Sequence, residues 1–370
     1  MMKIGILTLP FEVNYGGILQ AWALKTVLTS MGHDVEVFSI CNRRPVTLMP
    51  FVWIGRAFNK WIRKKNTPIF AESYYRRIFS KINHFLTTRL KPEILKSIDQ
   101  LPSNQYDVLI AGSDQIWRKS YFLGMWKTKS MSRAFFCNID SSKTKKISYS
   151  ASFGLDTWQF DAKETEEIAS ALKDFHAISV REYSATDLLK KNCGIDSTVV
   201  LDPTMLLTAE EYISKLNLSI PRRKSGVISY ILDPDTIKTH YIENFARNRQ
   251  LPHTELNKIN SHDIKLSIEE WLAMIASADI VITDSFHGCV FSIIFRRPLI
   301  FLGNKGRGNA RFETLIKLFG IEKNFISDIT KIEESPSSFE LPKDISERIN
   351  RMKKNSNDFI KSALIFQSRL

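Results

Sequence analysis

The sequence predicts an α/β protein built from two Rossmann-like domains facing a cleft. Three observations lead there. Short apolar runs of the kind that buried parallel strands show recur along the chain. Stretches with apolar residues at helical spacing separate them. The alternation occupies both halves of a chain whose 370 residues exceed one typical domain.

The elements follow in order. "KIGILTL" reads as a first strand and "NYGG" breaks it. From Ile18 to Met31 the apolar residues Ile18, Trp22, Leu24, Val27, Leu28 and Met31 mark a helix that Gly32 ends, and "HDVEVFSI" returns as a strand. This β-α-β unit opens a doubly wound sheet. "YDVLIAG" and "KKISYSASFG" are further strands, "AISVREYSATDLLKKN" is a strand running into a helix, and "STVVLDPTMLL" is a strand that enters a proline turn. A domain boundary near residue 205 gives a first domain of 1–205 and a second of 206–340. In the second, "GVISYIL", "DIVITD" and "PLIFLG" are strands, while "SIEEWLAMIASA" and "GCVFSIIF" are helices. "SPSSFELPKD", residues 335–344, reads as a linker, and 341–370 as a charged helical segment that caps or bridges the domains.

Composition narrows the function classes. No apolar stretch is long enough for a membrane-spanning helix, and the first residues read as a strand rather than a signal peptide. Cys41, Cys137, Cys193 and Cys289 lack metal-ligand spacing, so reduced thiols in a cytoplasmic protein and no metal site are expected. The net charge of +13 is uneven: residues 41–100 carry 13 Lys and Arg against three acids. Aromatic residues are interleaved there, but no nucleic-acid-binding module is visible, and none is expected to bind.

In open parallel sheets, ligands bind outside the carboxyl ends of the strands. Polar stretches fall at four such ends. Asn14, Tyr15, Gly16 and Gly17 form either a tight turn or a backbone approach to a ligand at a helix start. In Gly112-Ser113-Asp114-Gln115, Asp114 is either a helix cap or an acid, base or hydroxyl-orienting group. Arg181, in Ser179-Val180-Arg181-Glu182, either pairs with Glu182 or holds a carboxylate or phosphate through two parallel bonds. In Asp284-Ser285-Phe286-His287-Gly288, His287 begins a helix whose dipole favours neutral imidazole. It suits bonding to an anion or proton transfer, with Gly288 leaving room above it. Downstream, "GNKGRGNARF" places Lys305, Arg307 and Arg311 in a glycine-bearing basic loop suited to phosphate.

Seven segments together, "NYGGILQAWAL", "YDVLIAGSDQIW", "ISYSASFG", "ISVRE", "VLDPTML", "ADIVITDSFHG" and "GRGNARFETLIKLFGI", resemble the polysaccharide pyruvyl transferases, in that family's order and over roughly residues 3–322. "GSDQIW" and "DSFHG" are the sharpest pieces. The resemblance implies a GT-B-like fold and transfer of the pyruvyl group of phosphoenolpyruvate onto two sugar hydroxyls, giving a cyclic ketal and releasing phosphate. It implies capsule, exopolysaccharide or cell-wall precursors as acceptors, for instance a lipid-linked galactoside, and no cofactor beyond the donor. The family's HG histidine is His287 here, and its S-V-R-E arginine is Arg181. Some members carry Arg-Leu-His-Gly where this chain has Ser285-Phe286-His287-Gly288, so Arg307 or Arg311 is expected to supply the missing charge. Donor contacts are accordingly expected from Arg181, Ser285, His287, Gly288, Lys305, Arg307 and Arg311. Acceptor contacts are expected from Asn14, Gly16, Gly17, Ser113, Asp114 and Gln115, with His287 as general acid and Asp114 as base or orienting group. A nucleotide-sugar glycosyltransferase and a catalytically silent scaffold of a membrane assembly line are the competing readings.

Residues 51–65, "FVWIGRAFNKWIRKK", plot as an amphipathic helix with Phe51, Ile54, Phe58, Trp61 and Ile62 on one face and most of the basic residues opposite. The helix either packs on the first domain or lies on an anionic membrane, at the inner face of the bacterial cytoplasmic membrane. Membrane contact predicts co-sedimentation with anionic vesicles that weakens as salt rises and is lost when Arg63, Lys64 and Lys65 are neutralised. Unchanged sedimentation in that variant rejects it.

Overall fold

The structure, a computed structural model, describes residues 1–11, 14–40, 71–96, 100–101, 103–121, 139–258, 264–303, 310–333 and 339–365. The amphipathic stretch 51–65 and the predicted donor residues Lys305 and Arg307 lie outside the described residues.

Two parallel sheets form, as the alternating pattern predicts. The first contains β1 (Lys3–Thr8), β2 (Asp34–Ile40), β3 (Glu93–Leu95), β4 (Val108–Ala111), β5 (Lys145–Ala151), β6 (Ala177–Val180) and β7 (Thr198–Val199), in the order β3-β2-β1-β4-β5-β6-β7. The second contains β8 (Val227–Tyr230), β9 (His253–Glu255), β10 (Ile280–Thr283), β11 (Leu299–Leu302) and β12 (Phe325–Ile326), in the order β12-β11-β10-β8-β9. Every neighbouring pair is parallel. Strand order reverses between β1 and β4 in the first sheet and between β8 and β10 in the second, which opens a crevice at the carboxyl edge of each.

The helices differ from the sequence expectation chiefly at their starts. The first runs from Tyr15 to Ser30, three residues earlier than the apolar spacing placed it, because the Asn14 side chain accepts from Gly17 N–H (3.1 Å) and caps it. Apolar spacing does not register the two glycines that fill its first turn. This helix is buried on nearly all sides, including Ile18, Ala21, Trp22, Ala23 and Leu24. A helix apolar all round is one covered on both sides, here by the first sheet and by the second unit. The Phe286–Ile294 helix is likewise buried throughout.

One apolar core therefore runs through both units. Tyr15 from the first unit stacks on Trp271 from the second, with ring centroids 5.2 Å apart and planes 8° apart, and its hydroxyl donates to Leu266 O (2.8 Å). Trp271 also meets Tyr230 and Phe291 edge-on. On the other flank, Tyr183 N–H donates to Thr314 Oγ1 (3.2 Å), and Lys317 Nζ lies 4.4 Å above the Tyr183 ring. The final helix, Ile345–Leu364, returns to the first unit. Leu201 N–H donates to Ser356 Oγ (2.9 Å), and Phe359 lies against Tyr149. None of the helices among the described residues is long and apolar enough to cross a membrane.

Trp271 is fully buried at the junction, so Trp271→Ala is expected to lower the unfolding free energy by about 3–5 kcal/mol, read from chemical denaturation. A loss below about 1 kcal/mol would mean that the aromatic stack does not hold the units together.

Candidate functional site

The carboxyl edges of the two sheets face each other, and the charged residues of the site come from both. β4 leads into Ser113 and Asp114, β6 into Arg181 and Glu182, and β7 into Asp202. From the second sheet, β10 leads into Phe286 and His287, and β11 precedes the Ala310–Phe319 helix that carries Arg311. All seven polar or charged side chains named here are buried, with Arg181 3% and His287 6% exposed.

Asp202 lies at the crossing. Its Oδ2 accepts from Arg181 Nη1 (2.9 Å) and Ser113 Oγ (3.3 Å), and His287 Nε2 stands 3.5 Å away. Its Oδ1 accepts from Thr204 N–H (3.0 Å) and the Thr204 hydroxyl (2.6 Å), which fixes the carboxylate in the proline turn. Arg181 also reaches Asp114 through Nη2 (3.3 Å). Its guanidinium lies 4.5 Å from the centre of the Phe286 ring, and Arg311 lies 5.6 Å from the same ring. The expected ion pair of Arg181 with Glu182 is the loosest of its three, at 3.9 Å. Glu182 is instead held by the Ser152 hydroxyl (2.7 Å).

Asp114 caps no helix. It sits in the left-handed region (φ 71°) and forms an isolated parallel bridge with Ala151. Its carbonyl accepts from Ser152 N–H (3.0 Å). Such a conformation costs a non-glycine residue on the order of 1 kcal/mol or more, and persists where neighbouring structure imposes it. Here it aims the carboxylate at Arg181. Ser150, on the adjoining strand, also has positive φ (54°), beside the irregularity that ends regular pairing of β5 with β6.

The electrostatics separate the three carboxyls. Burial pushes Asp202 up, but His287, Arg181 and the Thr204 hydroxyl outweigh it and hold Asp202 well below the usual carboxylate range. Burial also pushes Asp114 up, and Arg181, His287 and Arg311 bring it below its ordinary value. For Glu182 burial prevails over Arg181 and Ser152, and its carboxyl is raised. Three buried atoms at the crossing, Arg181 Nε, Glu182 Oε2 and His287 Nε2, have no hydrogen-bond partner among the described residues. Buried polar atoms left this way cost about 1–3 kcal/mol each and mark places that a ligand or water completes.

Other predicted residues fall in different places. The room that Gly288 was expected to leave above His287 is not there. A side chain on Gly288 would meet Thr283 Oγ1 at 2.3 Å, so the missing Cβ lets the helix pack on its own strand. The glycine that makes room for His287 is Gly16, across the cleft, where a Cβ would stand 1.9 Å from His287 Nδ1. Ser285 caps the Phe286–Ile294 helix, accepting from Gly288 N–H (3.3 Å). Asn14 is an exposed cap. Gln115 accepts from Arg118 Nη1 (2.6 Å) and fits against Gly154, where a Cβ would lie 2.2 Å from Gln115 Oε1. Asp202, Thr204 and Ser152 were not singled out from the sequence. The signal for Asp202 was present, since "VVLDPT" puts it just past a strand's carboxyl end, the position that selected the other stretches. Among the described residues no cluster of three or more His, Cys, Asp or Glu could hold a metal ion.

Two parallel sheets with a buried cluster of charged side chains at their facing carboxyl ends make a two-domain α/β fold of the GT-B-like kind. The polysaccharide pyruvyl transferase family matches the chain over residues 14–306. The chain belongs to that family. No curated protein matches it. Similar solved structures include a UDP-GlcNAc 2-epimerase from Neisseria meningitidis bound to UDP-GlcNAc (12% identity, TM-score 0.48, covering 98% of this chain and 99% of that one). The spinosyn rhamnosyltransferase SpnG (10%, 0.45, 98% and 99%) and a UDP-GlcNAc 2-epimerase from Methanocaldococcus jannaschii (12%, 0.43, 95% and 92%) are further examples. Likeness at this level says nothing about substrate.

The contact of Gly16 with His287 predicts a change of sign. Gly16→Ala is expected to destabilise the protein by about 1–3 kcal/mol, because the ring cannot share the space. In a His287→Ala background the same change should be neutral or stabilising by up to about 1 kcal/mol, the ordinary preference of a helix for alanine over glycine. Equal costs in both backgrounds, measured by denaturation, would show that the ring does not rest on Gly16.

Proposed function

We infer that this cleft transfers the pyruvyl group of phosphoenolpyruvate to two hydroxyls of a sugar residue, forming a cyclic ketal and releasing phosphate. The observation that carries the reading is the meeting of Arg181 and His287 from opposite sheets at one buried point, with unpartnered Nε atoms on both. Family membership supports the coarser statement, a pyruvyltransferase of polysaccharide biosynthesis.

The donor carries a carboxylate and a phosphate, and Arg181 and Arg311 are the cations that frame Phe286. His287 binds the donor phosphate and delivers a proton to the methylene carbon, which becomes the methyl group, and C2 becomes electrophilic. One sugar hydroxyl attacks C2 and loses its proton. The C–O bond to phosphate breaks and phosphate leaves with the bonding pair. The second hydroxyl then closes the ketal, also losing its proton; of the two protons released, one restores His287 and the other leaves on the phosphate. Asp114, held below its ordinary pKa, is a weak base, so its part is to accept a hydrogen bond from the attacking hydroxyl and orient it. Ser113, bonded to Asp202, lies beside it. Glu182, its carboxyl raised by burial, backs Arg181 at 3.9 Å. No step in this scheme draws on a cofactor. A lipid-linked capsule or exopolysaccharide precursor is the acceptor class proposed, which would bring the enzyme to the inner membrane surface.

Calorimetric titration of phosphoenolpyruvate into wild type and His287→Ala tests the reading. Binding by wild type, with affinity reduced at least about tenfold in the variant, as expected for loss of a charge-assisted contact of about 1.5–3 kcal/mol, supports it. If UDP-sugars bind and phosphoenolpyruvate does not, with or without acceptor glycan, the protein is a nucleotide-sugar enzyme instead.

A further inference from the structure

Arg181 and His287, assigned to the donor, already have an anion between them. Asp202 Oδ2 occupies the point where Arg181 Nη1 (2.9 Å) and His287 Nε2 (3.5 Å) converge. Its geometry is that of a phosphate oxygen held by one arginine and one histidine. The carboxylate is 2% exposed, is held well below the usual carboxylate range, and has its other oxygen saturated by Thr204. Arg181 Nη1 thus already has a bonded anion, and His287 Nε2 faces the same oxygen without a hydrogen bond, before any ligand arrives.

We propose that Asp202 is a built-in competing anion, whose carboxylate holds Arg181 and His287 in the shape of the phosphate site and must yield them when phosphate binds. The inference rests on reading this cleft as the donor site. Two anions beside the same cations repel each other strongly in a buried setting. Asp202 therefore weakens the hold on the donor and, after transfer, on inorganic phosphate. A site that kept Arg181 and His287 bare would retain its product. The loss of affinity promotes turnover, since each cycle must end with phosphate leaving a site buried between the two units.

A carboxylate that only positions its neighbours gives the opposite sign. Removing it would let Arg181 and His287 drift and would weaken anion binding. The test uses the full chain as wild type, Asp202→Asn and Asp202→Ser, with inorganic phosphate titrated by calorimetry and cooperative unfolding checked by thermal melts. Asparagine keeps an oxygen for Thr204, and serine removes the bulk as well as the charge. Both variants are expected to bind phosphate about tenfold tighter or more, the scale of relieving one like-charge contact. In turnover, kcat and the KM for phosphoenolpyruvate should fall together, with stronger inhibition by phosphate. Phosphate affinity that is unchanged, weaker, or undetectable in wild type and variants overturns the proposal. So does loss of cooperative folding in both variants, which would make Asp202 a strut between the units. If wild type transfers no pyruvyl group while the variants bind phosphate more tightly, the functional reading falls and the competing anion stands. If transfer occurs and phosphate affinity does not rise, the reverse holds.

Discussion

One carboxylate oxygen is shared by an arginine and a histidine from different sheets, and much of the cleft is arranged around that sharing. Asp202 Oδ2 meets Arg181 from the end of β6 and His287 from the end of β10. Buried charge is tolerated only where it is paired and hydrogen-bonded, so the supports of Asp202 matter as much as its partners. Thr204 fixes one oxygen and Ser113 assists the other. Gly16 lacks the side chain that would keep His287 from arriving. Losing any of these weakens the compensation of a charge in a low-dielectric place.

Apolar packing sets the distance over which that pairing happens. Tyr15 on Trp271 closes one flank of the junction, and Tyr183 against Thr314 and Lys317 closes the other. The final helix crosses back to pair Ser356 with Leu201, one residue before Asp202. The bridging carboxylate is thereby tied by its backbone neighbour to the last helix and by its side chain to the second sheet. Close packing of this kind deforms little, which suits a site whose contacts tolerate displacements of only a fraction of an ångström.

Two strained backbone positions lie in the same region. Asp114 and Ser150 both take left-handed conformations on adjacent strand ends, and the irregularity of β5 follows Ser148. The local chain geometry is sacrificed so that Asp114 points at Arg181 instead of capping a helix. The ordering of the carboxyls, with Asp202 and Asp114 held low and Glu182 raised, comes from how far each one's charged and hydrogen-bonded partners outweigh its burial: they do so at Asp202 and Asp114, and burial prevails at Glu182.

The sequence by itself determined the alternation of strands and helices, because apolar periodicity is a local property that burial imposes residue by residue. The strands "GVISYIL", "DIVITD" and "PLIFLG" lie where that pattern put them, trimmed at their ends. It also determined that Arg181 and His287 stand at strand carboxyl ends, since position after an apolar run is readable without a third dimension. Which glycine serves which side chain was not readable. Gly288 is adjacent to His287 in the chain and Gly16 is 271 positions away, yet the contact belongs to Gly16. The role of Asp202 was hidden for the same reason: its partners lie on β6 and β10, and a carboxylate after a proline-turn strand is unremarked until the two sheets meet. Tertiary structure alone decided these pairings, because they are set by how two separately legible sheets pack edge to edge, and no local rule of the chain encodes the space between them.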